Sequence, residues 1–150
     1  MRTYAAAAIA AAAVLALPAC GGSGKSGATT ATTAPGTTVA GGCAPAPPAV
    51  VRRIARGVVL VGAKLERPRI VRSKDLPGYY FISARVREIA PGAVATWSTQ
   101  GIDPVRQVIA VDENAIEISE FGSGSSHVPP VTLGAAGALE SRDCVTHGAR

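Results

Sequence analysis

The hydrophobic pattern changes period several times along the chain. After a short basic start at Met1 and Arg2, Tyr4–Leu17 is an apolar run built mostly of alanine, and it ends in Leu17-Pro18-Ala19-Cys20. The run is too short to span a bilayer, which takes about 20 apolar residues in a helix. A charged start, a short apolar core and small residues at its end describe a secretory signal. Residues 21 to 48 then hold almost no large apolar side chain. A Gly/Ser/Thr/Pro segment of that kind buries too little surface to offset its ordering entropy. It reads as a tether up to residue 42, with a root-mean-square reach of roughly 25–30 Å.

Helical spacing appears next. Val50, Val51, Ile54, Ala55 and Val58 recur on one side, with Arg52, Arg53 and Arg56 on the other. Pro47-Pro48 suits a helix start, and Gly57 suits a stop, although the period could run on to about Val61. Beyond it the period falls to two. Strands are predicted over 67–73, 79–88, 93–99 and 105–111, separated by the turn signals Asp75-Leu76-Pro77-Gly78, Pro91-Gly92 and Gly101–Pro104. Tyr80, Ile82, Ala84 and Val86 alternate with Tyr79, Phe81, Ser83 and Arg85, as in a half-buried strand. Residues 113–121 fit a short helix capped by Asp112, and they also alternate well enough for a fifth strand. Gly, Ser and Pro dominate 122–143, which predicts a long loop. Short turns between successive strands favour an antiparallel meander. The expected fold is α+β: an N-terminal helix packed on a four-stranded antiparallel meander with a short later helix, over residues 43–150.

Leu17, Ala19 and Cys20 resemble the lipobox of bacterial lipoproteins, in which a branched residue and two small ones precede a cysteine. The resemblance covers residues 1–21, with Pro18 a less usual occupant. It implies that residues 1–19 are removed and that Cys20 becomes the lipidated first residue, palmitate being a typical acyl chain. Two or more chains make a stable anchor, at about 0.8 kcal/mol per buried methylene. The expected address is the extracytoplasmic face of the cell membrane. If Cys20 carries lipid, Cys43 and Cys144 remain as a pair in an oxidising compartment, and a disulfide there closes nearly the whole domain. The preference for arginine over lysine and the Ala/Gly/Pro/Thr richness point to a high-GC genome. In outline, through Gly78-Tyr79-Tyr80-Phe81-Ile82, Ala95-Thr96-Trp97 and Ala110-Val111-Asp112, the chain resembles small actinobacterial lipoproteins of unknown function.

Charge and chemistry refine this picture. The formal net charge of +5 is unevenly placed. Basic residues crowd positions 52–87, and carboxylates crowd 103–143. Such asymmetry suits an anionic partner, such as lipid head groups or anionic wall polymer, or two halves that face each other or water. The extracytoplasmic address excludes nucleic acid as a partner. Thr29, Thr30, Thr32, Thr33, Thr37 and Thr38 beside Pro35 resemble an O-glycosylated stalk. Gly22-Ser23-Gly24-Lys25-Ser26 imitates a phosphate-binding loop, but Ala19 stands where its first glycine belongs.

A serine triad would draw on Ser98, Ser123, Ser125 or Ser126 with His127 and Asp103 or Asp112, without a nucleophile elbow to hold it. Asp112, Glu113, Glu117 and Glu120 fit a solvated helix face better than a glycosidase pair, which leaves a small cell-wall hydrolase as the weakest reading. A metal site would need Cys43, Cys144, His127 and His147. Tyr79, Phe81, Arg85, Arg87 and Trp97 would form an aromatic and basic strip able to bind carbohydrate or anions, provided that odd positions of the second strand face away from the core. Otherwise the N-terminal helix covers Tyr79 and Phe81, and Trp97 is core. The sequence therefore predicts a non-catalytic cell-envelope interaction module without metal or cofactor. Its partners would be the membrane, through the anchor, and an envelope protein or wall polymer.

Overall fold

A computed structural model describes residues 42–148. Cys20, the leader 1–19, almost all of the tether and its six threonines lie outside the described residues.

The chain enters through a two-residue strand, β1 (Ala44–Pro45), and passes into helix α1 (Pro48–Gly57). Pro48 takes the first helical position, where the missing N–H costs nothing. Val50, Ile54 and Gly57 turn inward, and Arg52, Arg53 and Arg56 outward. The helix stops at Gly57 because the chain turns extended at Val58, whose backbone bridges Ser119. Gly57 lies directly beneath the Phe121 ring, so closely that a β-carbon would overlap it.

β2 (Leu65–Arg72), β3 (Tyr79–Val86), β4 (Val94–Gln100) and β5 (Val108–Ala110) follow as a meander. With β1 they form one antiparallel sheet in the order β1-β2-β3-β4-β5. The fold class is thus α+β with an antiparallel sheet, of five strands rather than four because the segment at Cys43 pairs with β2.

The register divides the side chains into two sets. Ile70, Ile82, Trp97 and Ala110 line up across the sheet on one face, and Val71, Phe81, Ser98 and Ile109 on the other. The first face is closed by Val50 and Ile54 of α1 and by Ala115 and Ile118 of α2 (Glu113–Ile118). The second is closed by Val131 and by Ala138, the first residue of α3 (Ala138–His147). Helices therefore cover both faces. β3 and β4 are buried on both sides rather than half-buried as the alternation suggested.

The expected short later helix is present, its strand alternative is not, and one expectation is corrected. Residues 113–118 form a helix and not a fifth strand, because Asp112 caps it: Oδ1 accepts from the Ala115 N–H at 2.9 Å. Residues 122–143 are not one long loop, since α3 begins at Ala138 within them. Its buried positions, Ala138, Ser141, Cys144 and Val145, have helical spacing, but two are polar or sulfur-bearing and one is alanine. No apolar period announces the helix. The Cys43–Cys144 disulfide joins the residue before β1 to α3, with Cα atoms 5.8 Å apart.

Candidate functional site

Polar groups cluster where α3 crosses the sheet. Ser83 of β3, Thr96 of β4 and Ser141 of α3 are fully buried. Ser83 Oγ lies 3.0 Å from Thr96 Oγ1 and 2.7 Å from Ser141 Oγ, and Ser141 Oγ donates to the Ala138 carbonyl at 2.8 Å. Each hydroxyl owns one proton, so the order of donation follows. Ser141 gives its proton to Ala138, Ser83 gives to Ser141, and Thr96 gives to Ser83. Arg142 Nη1 then donates to Thr96 Oγ1 at 3.4 Å. The chain is closed and every hydroxyl is satisfied. Such a network fixes α3 on the sheet and leaves no activated oxygen.

At its outer end Arg142 forms an ion pair with Asp112. The Asp112 side chain is almost wholly buried, and its other oxygen is occupied by the α2 cap. Asn114 Nδ2 donates to the Val94 carbonyl at 2.9 Å and ties the same helix to β4. Beside this pair runs an open groove of about 420 Å³, bordered by Glu113, Asn114, Ser123 and Ser125. Both charges at its base are spent on each other and on backbone, which leaves Glu113, exposed at its rim, as its remaining charged side chain.

The serine triad is not assembled. Ser98 Oγ donates to the Tyr80 carbonyl, and Ser123 and Ser125 bond to each other at 2.8 Å. His127 faces Gln107 Oε1 and the Pro129 carbonyl, and its ring meets the Tyr79 ring edge-on at 6.3 Å. Glu113, Glu117 and Glu120 are exposed, while Asp112 is committed to its cap and its arginine. Cys43 and Cys144 are bonded to each other and are therefore not thiolate ligands. Among the described residues no group of three or more His, Cys, Asp or Glu side chains could hold a metal ion.

The aromatic and basic strip is overturned as an exposed surface. Phe81 and Trp97 are fully buried and Tyr79 nearly so. Tyr79 and Phe81 do share a face, but α3 and the segment leading to it cover that face. Trp97 belongs to the opposite face, where Nε1 donates to Ser119 Oγ at 3.3 Å. Arg85 is half-buried and donates from Nη2 to the Thr146 carbonyl in the last turn of α3, a favourable place for a cation. Arg87 is exposed and pairs with Glu66 at 2.5 Å.

The outer face of α1 carries the charge that the strip does not. Ala49, Arg52, Arg53 and Arg56 occupy positions i, i+3, i+4 and i+7 and are all exposed. They border a shallow concavity of about 330 Å³ against Ile102–Val105, with Asp103 its one carboxylate. None of the three arginines has an ion-pair partner within 4.0 Å among the described residues. The sequence displayed this signal as arginines opposite an apolar helix face.

No protein-family model matches the chain, and neither a curated protein nor a solved structure shows significant similarity to it.

Proposed function

We propose that the chain is a lipoprotein, anchored through Cys20 at the extracytoplasmic face of a cell membrane, whose domain serves as a non-catalytic docking module of the envelope. One observation carries this reading. Cys43 and Cys144 form a disulfide, which belongs to an oxidising compartment. The bridge uses two of the chain's three cysteines, and the third is the one that ends the lipobox-like Leu17-Pro18-Ala19-Cys20. The way the polar groups are spent supports a docking role over catalysis. The buried hydroxyls, Asp112 and Arg142 are occupied in holding α2 and α3, and the candidate serines stand apart from His127.

Detergent-phase partitioning of cells expressing the native chain and Cys20→Ala tests the anchor. The native protein is expected in the detergent phase and the variant in the aqueous phase, because no helix among the described residues is long and apolar enough to cross a membrane in place of the lipid. Equal partitioning of the two would overturn the proposal.

A further inference from the structure

We infer that the exposed arginine face of α1 docks the domain against anionic phospholipid head groups of the membrane that holds it, an inference that rests on the lipid-anchor reading. Arg52, Arg53 and Arg56 project from one helix face, unpaired, around a concavity that holds a single carboxylate. Guanidinium groups on an amphipathic helix match the phosphate diesters of an anionic bilayer in charge and in hydrogen-bond geometry. A second copy of this chain would bring arginines against arginines, so self-association through this face is disfavoured.

The position of α1 in the chain favours the membrane further. Only β1 and three residues separate Gly42, where the described residues begin, from Pro48. Cys20 stands only 22 positions before Gly42, a length of chain that cannot reach beyond about 75 Å even when fully extended. The first helix after such a stretch is never far from the head groups, and electrostatic attraction that is weak in free solution becomes effective at the resulting local concentration.

The test uses the chain from Gly21 onward, which lacks both leader and Cys20 and retains the disulfide and both core clusters. Its co-sedimentation is measured with vesicles of phosphatidylcholine alone and of phosphatidylcholine mixed with phosphatidylglycerol. Binding to the mixed vesicles only, reversed by salt, is expected. At roughly five-fold per arginine near an anionic surface, R52S/R53S/R56S should lower partitioning about a hundred-fold, while R69S/K74S/R87S, with the same loss of charge, should change it less than about five-fold. Equal losses in the two triple variants, or no preference of the native sequence for the anionic vesicles, would overturn the inference. Displacement by an equal phosphate concentration of soluble glycerol-phosphate polymer would also overturn it and assign the face to wall polymer. Because Cys20 is absent throughout, any of these failures leaves the anchor proposal intact.

Discussion

Opening the Cys43–Cys144 bridge measures how much of the domain's stability is covalent. The bridge spans 101 positions, nearly the whole described chain. A cross-link of that span removes loop-closure entropy from the unfolded state equivalent to about 4.7 kcal/mol at 25 °C. Small domains are stable by only about 5–15 kcal/mol, so the bridge supplies a large share. Trp97 is the single tryptophan and fully buried on the α1 face, in β4, with β2 and β3 between it and the β1 edge beside Cys43, so its emission reports the sheet. Urea unfolding followed at Trp97 should shift its midpoint down by about 2–3 M in C43S/C144S, at a slope near 1.5–2 kcal/mol per molar. The melting temperature should fall by about 20 °C. A loss at Trp97 below about 0.5 kcal/mol, with faster amide exchange confined to α3, would refute the reasoning. It would show that the bond holds one helix locally and does not constrain the whole chain.

Three further substitutions probe polar and backbone packing away from Trp97. Arg142→Ala leaves the buried Asp112 carboxylate without its cation and should cost about 3 kcal/mol in chemical denaturation. Asp112→Asn should cost less, because the amide oxygen can still cap α2. Gly124→Ala places a methyl group on the Val131 carbonyl oxygen and 3.2 Å from that of Ala110, both backbone atoms that cannot swing aside. It should cost about 2–3 kcal/mol and open the 123–137 segment to limited proteolysis, with β3 and β4 still protected.

What could be read from the sequence followed how each element declares itself. α1 was legible because Val50 and Ile54 are large, apolar and helically spaced against arginines. β2, β3 and β4 were legible from turn chemistry and alternation, and the structure moves their ends by one or two residues. α3 was not legible because its inward face is alanine, serine, cysteine and valine: it is held by a hydroxyl network and a disulfide where a helix usually offers leucine. The aromatic strip failed for the same reason. Without α3, Tyr79 and Phe81 look uncovered. Trp97 was placed with them, although the β3–β4 register sets it opposite Ile82 on the other face. β1 spans two residues and takes its stability from pairing with Ile70 and Arg69, a tertiary fact that no local period encodes.

The charge asymmetry takes a definite form in three dimensions. Basic positions 52–87 and acidic positions 103–143 could have neutralised each other across the fold. The ion pairs among the described residues do not join them: Arg87 pairs with Glu66 inside the first group, and Arg142 with Asp112 inside the second. The α1 arginines thus keep their charge, and they keep it at spacings where like charges oppose the helix by a few tenths of a kcal/mol per pair. A helix of ten residues gains little from propensity alone and depends on its packed face. Val50 and Ile54 hold α1 against the sheet in spite of the repulsion on its outer side. An anionic surface brought within a Debye length, about 8 Å in physiological salt, removes that repulsion and adds attraction. The arrangement that costs the isolated domain stability is therefore the one that an anionic membrane relieves.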